Sequence, residues 1–112
     1  IGRNLSAKLH HGMGMRVTGY DIMEDPAFTA EDGIDHYTTS LEEALADADF
    51  VLTLLPVLDS TKHIANAAFF EKMKPGARFI NSARGALVSE NDLYDALSHG
   101  HLGAAALDVF EA

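Results

Sequence analysis

The sequence predicts an α/β fold, a doubly wound parallel sheet. Three observations lead there. Apolar segments of strand length recur at residues 16–20, 50–55, 77–81 and 104–110. A single stretch with helical spacing separates most neighbouring pairs. The run at 50–55 is nearly uninterrupted by polar residues, the pattern of a strand buried on both faces. Strands joined by single helices close into a parallel sheet through crossovers, with helices on its faces.

The elements follow in order. Residues 2–11 carry Leu5 and Leu9 at i, i+4 and suit a short helix, which Gly12 and Gly14 end. Residues 22–35 hold Pro26 and Gly33 and read as a surface loop. Ser40 and Glu43 fit a capping box, and Leu41, Ala44, Leu45 and Ala48 follow at helical spacing. The strand at 50–55 stops at Pro56. A helix at 66–73 stops before Pro75. Ser89, with Asp92 at the third helical position, is placed to cap a helix striped by Leu93, Ala96 and Leu97 and ended by Gly100.

Composition narrows the function. The 112 residues suffice for one globular domain, and 47% of them are hydrophobic. A net charge of −9 argues against nucleic acid or an anionic membrane as the main partner. Ten acids and no Lys or Arg lie between Asp21 and Asp49, read as a solvated rim. No apolar run approaches the ~18 residues of a membrane span. The absence of Cys excludes disulfides and thiolate chemistry. The six His match no metal-ligand spacing: His10 and His11 are expected to point apart, and His36 and His63 to stand alone in loops. Both ends read as cut, since Ile1-Gly2 carries no initiator Met and Phe110-Glu111-Ala112 follows an apolar run directly.

Ligands of a parallel sheet bind at the carboxyl ends of its strands, so the residues there carry the functional reading. Asp21 follows the strand at 16–20 and lies 19 residues after Gly2, which opens a helix. An acid near this spacing accepts hydrogen bonds from an adenosine ribose and repels a 2′-phosphate, although only the last Gly of the G-x-G-x-x-G fingerprint is present. Thr61, five residues after Pro56, is either a ligand hydroxyl or a polar loop residue. Arg84, in Asn81-Ser82-Ala83-Arg84-Gly85, offers a rigid fork that suits a carboxylate or an α-keto acid. Asp108 is a carboxylate in a strand that would be costly to bury without partners.

Three stretches then carry a resemblance. They are residues 48–56 continuing to Thr61, residues 73–88 (MKPGARFINSARGALV), and residues 103–111 (GAAALDVFE). Together they resemble the NAD-binding, Rossmann-type domain of the D-isomer-specific 2-hydroxyacid dehydrogenases over essentially the whole chain. The resemblance implies roles position by position. Gly2 matches the third fingerprint glycine, and Ile1 the residue before it, near the pyrophosphate. Asp21 matches the ribose carboxylate. Leu55, Pro56 and Thr61 match residues around the adenosine half. Ser82 and Ala83 match backbone near the nicotinamide, and Asp108 the acid that bonds its carboxamide. Arg84 matches the catalytic Arg that holds the substrate. Leu54 and Ser89 depart from the usual His and Asp without touching the chemistry.

The same resemblance implies residues 1–112 as part of an NAD-binding domain, with the first strand, two fingerprint glycines, the catalytic Glu and His and the substrate domain outside them. It implies NAD as cofactor, a 2-keto or 2-hydroxy acid as substrate, no metal, a cytoplasmic location and a homodimer. The ending Leu107-Asp108-Val109-Phe110-Glu111 looks like glyoxylate/hydroxypyruvate reductases and phosphoglycerate dehydrogenases. The rival readings are a non-catalytic NADH-binding corepressor of the same superfamily and an unrelated nucleotide binder such as a methyltransferase.

Overall fold

The computed structural model describes residues 2–20 and 34–110. Ile1 and Asp21 lie outside the described residues, as does most of the loop expected at 22–35. The chain forms two compact units, Ile1–Ala44 and Leu45–Ala112.

In the first unit, α1 (Gly2–Ala7) passes into a wider π turn at Lys8–Gly12, so the helix expected over 2–11 is regular only in its first half. Gly14, at φ +69°, reverses the chain and donates its N–H to the His10 carbonyl. β1 (Thr18–Tyr20) pairs in parallel with β2 (His36–Thr38), in the register Thr18↔His36 and Tyr20↔Thr38. β2 is a strand that the sequence pattern missed, because His-Tyr-Thr is short and half polar.

The acids around β2 are employed in holding it. Asp35 Oδ2 accepts from the Val17 N–H at 2.7 Å and lies 3.0 Å from His10 Nδ1. The backbone bond, then the His10 charge, holds the Asp35 carboxyl below the usual range. Glu43 pairs with His36 and accepts from the Thr38 hydroxyl, and these bonds hold its carboxyl down likewise. His36 is therefore a pairing residue in a strand, not an isolated one. The rings of His10 and His11 meet edge to face at 4.9 Å instead of pointing apart.

The capping box is half formed. Ser40 Oγ accepts from the Glu43 N–H at 3.3 Å, while the Thr38 hydroxyl, not Glu43, takes the Ser40 N–H. α2 (Leu41–Ala46) follows.

In the second unit β3 (Phe50–Thr53), β4 (Arg78–Asn81) and β5 (Ala104–Leu107) form a parallel sheet in that order. α3 (Ala67–Lys72) and α4 (Glu90–Ser98) make the two crossovers and pack on each other, as successive crossovers of one hand require. The core sits under β4. Phe79 is fully buried there and meets Phe69 and Phe70 edge to face, at centroid distances of 5.9 and 5.2 Å. Met73, Leu87, Val88, Leu93 and Leu102 complete it.

Two strands stop short of the carboxyl ends of their apolar runs. β3 stops at Thr53, and β5 stops at Leu107, which leaves Asp108 just beyond the strand end. Nor is β3 buried on both faces: it flanks the sheet, and Phe50 is exposed with the Arg78 guanidinium 5.4 Å from its ring.

Asn66 caps α3, its Oδ1 accepting the Phe69 N–H at 3.1 Å. Ser89 sits at the cap of α4 without a side-chain cap bond, and Asp92 instead takes the Ala67 N–H of α3 at 3.0 Å. The expected α4 cap thus serves the neighbouring helix.

At the amino ends of the strands, two glycines meet backbone to backbone. Gly76, at φ +83°, donates to the His101 carbonyl, and a Cβ on Gly103 would lie 2.5 Å from the Gly76 carbonyl oxygen. Backbone cannot give way as a flexible side chain does. Gly103→Ala is therefore expected to destabilise by about 1–3 kcal/mol, read from the urea midpoint. Gly12→Ala, which meets nothing within 4 Å, serves as the control with little loss.

Candidate functional site

The register places Thr53, Asn81 and Leu107 in one row across β3, β4 and β5. Neighbouring strands are about 4.8 Å apart, so the loops leaving this row emerge side by side. They carry Leu55, Pro56 and Thr61 after β3, Ser82, Ala83 and Arg84 after β4, and Asp108 after β5. The topology thus brings together seven of the ten residues singled out from the sequence. Gly2 opens α1 in the other unit.

Polar burial in this unit is concentrated at the same edge. Its buried polar side chains among the described residues are Thr53, Thr61 and Asn81. Each is internally bonded, and no buried side-chain N or O among the described residues lacks a partner.

Asn81 is fully buried. Its Oδ1 accepts from the Thr53 hydroxyl at 2.7 Å and the Ala83 N–H at 3.2 Å, and its Nδ2 donates to the Arg84 carbonyl at 2.9 Å. Its own carbonyl accepts the Asp108 N–H at 3.0 Å. Sequence reasoning passed over Asn81. The available signal was a lone amide closing an apolar run, directly before a loop rich in small residues.

The side chains of this edge divide into buried holders and exposed presenters. Arg84 is exposed on extended backbone, and its Nη1 donates to the Ala83 carbonyl at 2.7 Å. That bond uses one of the five guanidinium donors. Gly85–Leu87 then forms a single 3₁₀ turn, whose Leu87 N–H also reaches the Arg84 carbonyl at 3.2 Å. Ser82 and Asp108 are exposed as well. Ala83 has its N–H bonded to Asn81 and its carbonyl to Arg84, which leaves its methyl group and peptide face for any ligand.

Thr61 is only 2% exposed. Its hydroxyl donates to the Pro56 carbonyl at 2.7 Å and accepts the Leu58 N–H at 2.7 Å, closing the loop after β3 on itself. These bonds give Thr61 a loop-holding part. Leu55 is half-buried and Pro56 exposed at the start of that loop.

The loops are knitted to one another. His63, at φ +53°, donates its N–H to the Ala86 carbonyl, and Ala65 forms a parallel bridge with Val88. Among the described residues, no group of three or more His, Cys, Asp or Glu is placed to hold a metal ion. The arrangement combines exposed opposite charges, Arg84 and Asp108, with neutral buried supports. The exposed guanidinium of Arg84 offers paired donors to a carboxylate, and the Asp108 carboxylate offers an acceptor to a ligand N–H.

Comparison with known proteins fits this chemistry. Residues 1–112 match the family described as D-isomer specific 2-hydroxyacid dehydrogenase, NAD binding domain. The chain belongs to that family. The cofactor expected from the sequence is the one the family's description names, and the Rossmann-like α/β class holds as well.

A D-lactate dehydrogenase of Streptococcus agalactiae is 42% identical over 95% of this chain, which spans 31% of that protein. A glyoxylate/hydroxypyruvate reductase B of Enterobacter is 40% identical over 99% of the chain, which spans 34% of it. The solved structure of a D-lactate dehydrogenase with NAD+ from Lactobacillus jensenii matches with a TM-score of 0.86 at 33% identity, covering 98% of this chain and 32% of that one. The chain thus spans about a third of the length of the dehydrogenases it matches. Over the whole chain the relatives include a glyoxylate/hydroxypyruvate reductase, as the sequence led one to expect, together with D-lactate dehydrogenases, which it did not single out.

The loop-holding part of Thr61 has a measurable consequence. Thr61→Val leaves the Leu58 N–H and Pro56 carbonyl unpaired and is expected to lower stability by about 1–3 kcal/mol. Thr61→Ser is expected to keep most of it. A Thr61→Val protein that melts normally but binds NADH at least tenfold more weakly would make the hydroxyl a ligand instead.

Proposed function

We propose that this chain is the cofactor-binding part of an NAD-dependent oxidoreductase that interconverts 2-keto acids and D-2-hydroxy acids. The observation that carries the reading is the exposed Arg84 guanidinium, on a loop fixed by Asn81, at the strand end next to that of Asp108. Family membership and the dehydrogenase relatives support it.

Bound NADH supplies the hydride. Arg84 grips the substrate's carboxylate with paired N–H donors and stabilises the negative charge that builds on the carbonyl oxygen. The Asp108 carboxylate would accept from the carboxamide of the nicotinamide and so help to hold the ring beside the substrate. Ser82 and Ala83 line that ring. Leu55 and Pro56, with the loop closed by Thr61, border the adenosine half. By the family likeness, Gly2 and Ile1 match the positions of the pyrophosphate loop and Asp21 the acid for the ribose hydroxyls. The proton donor and the pocket for the substrate's side chain belong to parts of the enzyme outside residues 1–112. The reading includes a cytoplasmic homodimer. The −9 charge supports small-molecule rather than nucleic-acid partners, and no helix among the described residues is long and apolar enough to cross a membrane.

The test uses the intact enzyme with a panel of 2-keto acids and both reduced coenzymes. NADH is expected to be preferred over NADPH, as the Asp21 carboxylate repels a 2′-phosphate. Arg84→Ala is expected to lower kcat/KM about 10²–10³-fold while NADH affinity changes less than threefold. Near-normal turnover of the variant overturns the role of Arg84. NADH binding without turnover of any 2-keto acid by the unmutated protein makes it an interaction protein instead.

A further inference from the structure

We infer that Asn81 is a positioning residue for the reaction proposed above, acting through Arg84: its buried amide sets the loop from which the guanidinium is presented. The inference rests on that reading of Arg84.

Three features of the amide carry it. First, its contacts join separate stretches of chain: Thr53 on β3, the Ala83 N–H and the Arg84 carbonyl. A backbone N–H only donates and a carbonyl only accepts, so the two loop partners fix which way the amide faces. Second, the Arg84 carbonyl is held twice, by Asn81 Nδ2 at 2.9 Å and the Leu87 N–H at 3.2 Å. The backbone of Arg84 is thereby clamped while its side chain is exposed. A small rotation at that carbonyl swings the guanidinium at the far end of a long side chain, and a 1 Å misplacement can cost about 10²-fold in rate.

Third, the sheet itself does not ask for an amide. Position 81 is fully buried in register with Thr53 and Leu107, a place where an aliphatic side chain would satisfy the ladder without the desolvation cost of a polar group. What an aliphatic residue lacks is the acceptor for Ala83 and the donor for Arg84. A carboxylate would lack the donor alone.

That last difference supplies the test. In Asn81→Asp the new carboxylate keeps an acceptor for Thr53 and Ala83 but repels the Arg84 carbonyl. Once protonated, it donates there as the amide did. The charged and titratable side chains on the surrounding loops, Asp59, Lys62 and His63 after β3, Arg84 after β4 and Asp108 after β5, are the same in wild type and variant, so their titration cancels in a ratio. The ratio of variant to wild-type kcat/KM for a 2-keto acid is therefore expected to fall about 10–100-fold at neutral pH and to recover as the pH is lowered.

In an Arg84→Ala background the same change is expected to cost less than about threefold, with no recovery at low pH. NADH affinity, measured by fluorescence titration, serves as the folding control. Thr53→Val, which frees the amide from β3, is expected to give a smaller loss that also disappears in the Arg84→Ala background; it decides the matter if Asn81→Asp does not fold. Losses that multiply with Arg84→Ala, or Asn81→Asp activity that is normal at neutral pH, overturn the inference and leave Arg84's role standing. Near-normal turnover of Arg84→Ala by itself overturns the reading beneath it.

Discussion

The hydrogen bonds of one buried amide hold together the edge of the sheet on which the site stands. Thr53, Asn81 and Leu107 end three strands in a single row, and Asn81 bonds to what lies on either side of it: the Thr53 hydroxyl, the Ala83 N–H, the Arg84 carbonyl and, through its own carbonyl, the Asp108 N–H. Each bond adds about 1 kcal/mol net, but leaving a buried polar group unpaired costs more than making the bond gains. The network therefore favours one loop geometry by making its alternatives expensive. The helix α3 and the Phe69-Phe70-Phe79 cluster supply most of the burial that keeps β4 in place, and the amide converts that rigidity into fixed loop positions.

The two edges of this sheet are built differently. At the amino ends, Gly76 and Gly103 touch backbone to backbone, and the exposed Lys74–Asp49 pair spans 2.8 Å. The Lys74 ammonium holds the Asp49 carboxyl below its ordinary range, and Asp49 in turn raises Lys74. Such a surface pair is screened by solvent and adds little stability. At the carboxyl ends the supports are neutral and buried: Thr53, Thr61 and Asn81. A neutral support does not compete for a charged ligand, so the charges of Arg84 and Asp108 remain available to whatever binds there.

Much of this was legible in the sequence because period and punctuation report burial and chain reversal directly. Pro75 and Gly100 mark real boundaries, and the order of strands and helices in the second unit follows the apolar runs. Composition reports less about ends. β3 and β5 are shorter than their runs because Leu54 and Leu55, and then Val109 and Phe110, leave the ladder as loop. β2 escaped notice because three residues carry no period. The back-reaches of Asp92 and Glu43 failed for one reason: a tertiary partner outcompeted the local one, Ala67 for Asp92, and His36 with Thr38 for Glu43. Asn81 was invisible because its work lies in contacts 28 residues away and across a loop, which local spacing does not encode.

The acidic composition acquires a more specific meaning from the same logic. Asp35 and Glu43 belong to the acid-rich stretch that reads as a solvated rim, yet both are bound to backbone, hydroxyl or imidazole groups that lower their proton affinity. Their stabilising effect is therefore present above the ordinary carboxylate range and is lost as the pH falls through the lowered folded values. An excess of negative charge also repels an anionic substrate in general. A 2-keto acid then binds only where a local cation outweighs that background, and on the proposed reading this is the exposed guanidinium of Arg84. On that reading, selectivity for anions at this edge would follow from where one cation is held, with the buried amide fixing the loop that carries it.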